Sequence, residues 1–210
     1  MLVAPVACAS ILVTPHPADA AWIARLRLGA WLERARALEG RLERPIALAN
    51  VVVGAALGIY TGILLGAFGA RPFWNSAILG PLFLASGMSA AAAVIHSLAP
   101  SESERRAMAR IDVAMLSLEG LFLGLLLLQL ATGPAPARAA ADLVLGGPYT
   151  AIFWVLVVSM GVLLPILIQT LAVSGRIQHT AWAPALVLIG GLALRAVIVH
   201  AGQASEWRGY

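Results

Sequence analysis

The sequence predicts an all-α integral membrane protein: five transmembrane helices in an antiparallel bundle, preceded by an amphipathic interfacial segment. Three observations carry this reading. The 210 residues are 60% hydrophobic and only 11% charged, against about 25% charged in average soluble domains. Mean hydropathy is +0.89. Five stretches also reach the roughly 20 predominantly apolar residues that a helix needs to cross the hydrocarbon core. Together these exclude a disordered chain, a disulfide scaffold and a soluble enzyme. The lone Cys8 excludes an intramolecular disulfide and a cysteine-ligated cluster. All fourteen basic residues are Arg, so Schiff-base and Walker-type lysine chemistry is excluded as well. The net charge of +4 arises from a small Arg excess among few charges. It points to anchoring at a lipid bilayer surface and not to a nucleic-acid partner.

Residues 1–14 are apolar but too short to span, and they lack the basic start of a signal peptide. They read as the inner stump of an incomplete span. Residues 15–46 change character: Pro15 to Arg44 holds six Arg, three Glu and an Asp. Arg27, Arg34 and Arg41 recur every seven residues, with Trp22, Leu26, Leu28, Trp31, Leu32 and Leu38 as apolar surface. This pattern predicts an interfacial amphipathic helix, with a soluble docking surface as the alternative.

The membrane domain is expected over 47–205, followed by a tail at 206–210. Its five spans are Leu48–Gly69, Ala77–Leu98, Asp112–Thr132, Tyr149–Val173 and His179–Ala201. Turn chemistry separates them at Arg71-Pro72, Pro100-Ser101, Gly133-Pro134-Ala135-Pro136 and Ser174-Gly175. The links are short, so neighbouring spans should pack antiparallel. Arg counts orient the bundle. The N-terminal segment and the second and fourth links hold six, three and one Arg, while the other links and the tail hold one each. The positive-inside rule then places the first group in the cytoplasm and the C-terminus outside.

Gly54, Gly58, Gly62 and Gly66 lie at strict four-residue spacing in the first span, forming a groove for close helix approach. Tyr60 projects from roughly the opposite face. A phenol at that depth needs a polar partner, so its face should meet protein or a ligand. Pro81 and Pro165 interrupt the second and fourth spans, each freeing a carbonyl. Ser86-Gly87-Met88-Ser89 places small and polar groups near the centre of the second.

Ionisable groups inside spans are unfavourable, by at least about 2.5–3.5 kcal/mol each at the centre. Glu119 lies seven residues into the third span, counted from Asp112 at its cytoplasmic end. His96 closes the second span on the same side. His96, Asp112 and Glu119 are thus candidates for a proton path, the alternative being a satisfied buried carboxylate and two interfacial residues. Arg195 lies sixteen residues into the fifth span, more than about 10 Å from Glu119 in depth, too far to pair directly. Its expected partners are Gln129, carbonyls or an anionic ligand, with snorkelling to the surface as the alternative. His200 lies about one turn further out, and Arg195, His200 and Gln129 form a second set of buried polar candidates. Bis-histidine haem ligation fails, because His96 and His200 lie on opposite sides and His96 and His179 lie at helix ends. No bound haem or metal is expected.

Three blocks make the sequence specific: Gly58-Ile59-Tyr60-Thr61-Gly62-Ile63-Leu64-Leu65, Ala70-Arg71-Pro72-Phe73-Trp74-Asn75 and Leu82-Phe83-Leu84-Ala85-Ser86-Gly87-Met88-Ser89. With the closing stretch Gly190 to Arg195 and Val199 to Gln203, they resemble the NrfD/PsrC-type membrane subunits of polysulfide-reductase-like oxidoreductases. The resemblance covers most of 48–205. It implies eight or more spans in typical members, a quinone or quinol (menaquinone or ubiquinone) as substrate, and no cofactor of the subunit's own. It also implies a ferredoxin-like iron–sulfur partner serving a molybdopterin or other catalytic subunit. Tyr60 matches a family tyrosine close to the quinone. With Thr61, Arg71 and Trp74 it makes the candidate quinone-binding set, the last two near the face where the iron–sulfur partner is expected. If the first span corresponds to the fourth of eight, 1–14 is the end of the third, and the earlier spans lie outside these 210 residues. The resulting expectation is a membrane-anchor subunit in a bacterial inner membrane, exchanging electrons between quinone and the iron–sulfur partner. A proton- or solute-moving bundle and a purely structural anchor are the alternatives.

Overall fold

The computed structural model describes residues 29–67, 69, 71–177, 180 and 182–206. The stump at 1–14, residues 15–28 of the amphipathic segment and His179 lie outside them. Every regular element among the described residues is helical. The helices are α1 (Gly29–Gly66), α2 (Leu79–Leu98), α3 (Glu102–Thr132), α4 (Ala135–Leu145), a π-helix π1 (Ile152–Leu163) continuing into α5 (Leu164–Val173), and α6 (Trp182–Ala204). Five segments are long and apolar enough to cross a membrane: Leu48–Gly66, Leu79–Leu98, Glu102–Thr132, Ile152–Val173 and Trp182–Ala204. The protein divides into two units at Ala56/Leu57. The described part of the first is helical, and the packing below belongs to the second.

Four features differ from the sequence expectation. The described part of the interfacial segment, from Gly29, and the first span are one helix of 38 residues with Pro45 inside it. A proline there does not end a helix already nucleated on both sides. The third span begins ten residues earlier than Asp112, at Glu102. Ser101 caps it, its hydroxyl accepting from the Glu104 N–H at 3.3 Å, with Glu102 and Glu104 favourable at the positive helix start. The third link is not merely a turn, because Pro134 caps an 11-residue helix, α4, that buries Ala140, Ala141 and Val144. The fourth span opens as a π-helix, in which each N–H reaches five residues back. Pro165 explains where it ends: it has no N–H to give, and the last such donor is Leu164, bonded to the Ser159 carbonyl.

The seam of α3 is regular. Ala109, Asp112, Leu116, Glu119, Leu123, Leu126 and Leu130 are buried, alternating three- and four-residue steps as in a coiled-coil seam. Two of those seven positions are acids. Leu123, Leu126 and Leu130 join Phe73, Leu79, Leu82, Phe83, Leu194 and Ile198 in the main apolar core. Leu116 joins Ala93 and Val187 in a smaller one. Helix α2 packs on α3 and α6, π1 on α6, and α5 on α3.

Two crossings bring backbones together. A Cβ on Gly62 would overlap the backbone of Gly80, and one on Gly161 would overlap Gly190. Of the expected glycine groove, Gly58 meets Leu84 and Gly66 meets the Ser76 carbonyl.

Candidate functional site

The polar residues of the spans gather on the facing sides of α2, α3, α5 and α6. Ser86, Ser89, Asp112, Glu119 and Gln169 are all at most 3% exposed. Asp112 accepts hydrogen bonds from the Ser89 hydroxyl and the Gln169 side-chain amide. Seven residues along the same seam, Glu119 hydrogen-bonds Ser86 and lies within electrostatic reach of Arg195. The Arg195 guanidinium donates to the Gly191 carbonyl at 2.8 Å and to the Ser86 hydroxyl at 3.4 Å. It also lies 5.9 Å from the Phe83 ring centroid, within cation–π range. Gly191 leaves the room: a Cβ there would stand 3.2 Å from the guanidinium. His96 is buried on α2, seven residues from Ser89.

Several expectations are corrected here. Asp112 does not begin its helix: it lies ten residues inside α3, about 15 Å from the helix start, and is fully buried. Glu119 and Arg195 are not separated in depth. Measured from the true helix starts at Glu102 and Trp182, they lie about 26 and 20 Å in, and Ser86 is common to both. Arg195 does not snorkel outward and does not meet Gln129. Gln129 instead accepts from the Ser76 hydroxyl at 2.6 Å and donates to the Asn75 carbonyl at 3.2 Å. It ties α3 to the turn before α2. Gln129 and His200 are exposed and are not buried polar groups. Sequence reading missed Gln169, whose signal was available: an amide in the middle of an otherwise apolar span needs a partner.

The candidate quinone residues fall apart into two groups. Tyr60 is 59% exposed, on the face of α1 away from the glycines, and the Thr61 hydroxyl is bonded to the Leu57 carbonyl at 3.2 Å. Arg71 and Trp74 instead clasp the end of α6. Arg71 donates to the Ser205 carbonyl at 2.8 Å and lies 3.9 Å from the Glu206 carboxylate. The Trp74 indole donates to the Ile198 carbonyl at 2.9 Å, its ring resting where a Cβ on Gly202 would be. The Phe73 N–H donates to the Ser205 hydroxyl, completing the clasp. Beside it, between α1 and the start of α2, lies a cavity of about 560 Å³ lined by Ile59, Gly62, Gly66, Asn75, Ser76 and Gly80 among others. No group of three or more His, Cys, Asp or Glu placed to hold a metal occurs among the described residues.

Comparison with known proteins decides the family. The family described as polysulphide reductase, NrfD, matches residues 6–205. The protein belongs to the NrfD family. It is 31% identical over 191 residues to protein NrfD of Escherichia coli K12, covering 87% of this sequence and 59% of that protein. It is 32% identical over 177 residues to the NrfD homolog of Haemophilus influenzae, covering 78% of this sequence and 54% of that one. It is 31% identical over 174 residues to the C subunit of the polysulfide reductase of Wolinella succinogenes, covering 77% and 55%. This NrfD-family protein therefore spans a little over half the length of these curated relatives. No solved structure matches it. Family membership and five helices able to span make it a multi-pass membrane protein.

Proposed function

We propose that the protein serves as the membrane subunit of a respiratory oxidoreductase complex, exchanging electrons between the quinone pool and an iron–sulfur partner that serves a molybdopterin or other catalytic subunit. The observation that carries this reading is the NrfD-family match across 6–205, which includes a relative named as one subunit of a polysulfide reductase. The bundle adds what quinone chemistry requires. Reducing a quinone takes two electrons and two protons, so the site needs polar groups at the ring and a route for protons. The cavity beside Gly62 and Gly66 is lined by Asn75 and Ser76, polar residues suited to a quinone headgroup, whereas Tyr60 lies on the other face of α1. Glu119, Ser86, Ser89, Asp112 and His96 offer a buried polar row along α2 and α3 for protons. In this reading the protein lies in a bacterial inner membrane, and the Arg excess favours the His96 end in the cytoplasm and the C-terminus outside.

The test is quinol oxidation by the assembled complex. Asn75→Leu and Ser76→Val, which project apolar groups into the cavity, should raise the KM for quinol several-fold, and Tyr60→Phe should lower turnover. Unchanged kinetics in all three would remove the quinone assignment from this face. Purification of the tagged protein without any ferredoxin-like subunit would favour a transporter or a purely structural anchor. A reporter fused at the C-terminus and active only in the cytoplasm would reverse the orientation.

A further inference from the structure

A second cavity, of about 370 Å³, lies between α3 and the span formed by π1 and α5, and it shares no lining residue with the cavity at α1. Three features open it. The wide turns of π1 supply one wall through Phe153, Trp154, Val158 and Val162. Such π-helical departures are rare and concentrate at functional sites. Helix α3 faces them with Gly120 and Gly124. A Cβ at Gly124 would meet nothing within 4 Å, so this glycine borders open space and does not serve a helix crossing. The Ser117 hydroxyl on the wall is turned away, donating to the Val113 carbonyl at 2.7 Å, which leaves a lining that is hydrocarbon apart from the Trp154 indole N–H.

Size selects the occupant. On α3 the lining runs from Leu116 to Leu127, about 16 Å at the helical rise. A volume of about 370 Å³ over that length gives a mean cross-section of about 20 Å², whereas a helix with its side chains needs about 80–110 Å². A whole helix therefore does not enter the groove. One extended hydrocarbon tail lying parallel to the helices does. Trp154 and Leu163, 42% and 58% exposed, form the lip through which such a tail enters sideways. Besides the Ser117 hydroxyl, the side-chain donor on this lining is the Trp154 indole N–H.

We infer that this seam is a binding groove for one acyl chain of a bilayer phospholipid. The inference stands independently of the quinone reading. Its test uses the full-length protein, purified in mild detergent with repeated exchange, and phospholipid counted per protein by mass spectrometry. The native protein should retain one phospholipid that Gly124→Leu loses. Leu128→Trp, which changes an exposed α3 side chain outside the groove, should keep it. Replacing a helix-interior glycine beside a void favours the helix, so Gly124→Leu should fold. As a second measurement, phospholipid brominated on its acyl chain should quench Trp154 emission in a saturable phase at low mole fraction. That phase should be absent from Gly124→Leu. Equal phospholipid retention by the native protein and Gly124→Leu would overturn the inference, and so would recovery of a quinone in place of the phospholipid.

Discussion

Two polar regions of this bundle are built on opposite plans. At the end of the bundle, Arg71, the Phe73 N–H and Trp74 are committed to Ser205 and the Ile198 carbonyl. Two of these bonds end on main-chain carbonyls, which neither titrate nor rotate away, so the clasp fixes geometry and keeps no chemistry in reserve. In the interior, Asp112 and Glu119 meet Ser89, Gln169, Ser86 and Arg195 through side chains. The serine hydroxyls among those partners can turn, and they both donate and accept. Position along the sequence does not distinguish the two regions. The identity of the partner atoms does: Arg71 and Trp74 bond the main chain at the end of α6, while Asp112 meets side chains from two other helices.

Substitutions can break this contrast, beginning with the largest effect. Arg195→Ala removes the bonds to Ser86 and the Gly191 carbonyl and the cation near buried Glu119 and should cost about 1.5–3 kcal/mol, the range for hydrogen bonds to a charged group, read as a fall in detergent melting temperature. The double variant with Glu119→Gln should recover much of it. No recovery would show that Arg195 acts through packing on Phe83. Gln169→Leu removes one of the two donors to Asp112 and should cost about 0.6–2 kcal/mol, the range of interhelical hydrogen bonds in membranes. It should also perturb proton uptake on quinol turnover, which a fastener would not. Trp74→Phe loses the bond to the Ile198 carbonyl, about 1 kcal/mol, and should leave turnover per folded complex unchanged. Glu206→Gln removes a solvent-screened ion pair with Arg71 and should change stability by less than about 1 kcal/mol. A turnover defect larger than the stability loss in either clasp variant would erase the distinction.

The sequence makes the spans legible because the length and apolarity of a membrane helix are imposed by the bilayer. The glycine crossing at Gly62 was legible for the same local reason. Depth was not. Counting from Asp112 misplaced the start of α3 by ten residues, since the charged run Glu102 to Arg110 looks like a loop until Ser101 is recognised as a cap. That single error separated Glu119 from Arg195. Helix α4 was hidden because its prolines read as a turn, although Pro134 and Pro136 fall where a helix start tolerates them. The roles of Arg71 and Trp74 required knowing that residues about 130 positions away return beside them, which no local pattern encodes.

The π-helix has one more consequence, for how sequences of this family are laid against one another. Each residue of a plain helix turns the backbone by about 100°, so a stretch wound with i→i+5 bonds carries one residue more than the same rise in α form. Removing a single residue between Ile152 and Leu163 would restore ordinary winding and swing everything after Leu164 by that angle. Pro165, Gln169 and Ala172, all buried now, would then leave the bundle, and Asp112 would lose its amide donor. Relatives whose fourth span here is regular throughout should therefore align with a one-residue gap in this stretch. Those without the gap should keep both the wide turns and an amide at the position of Gln169.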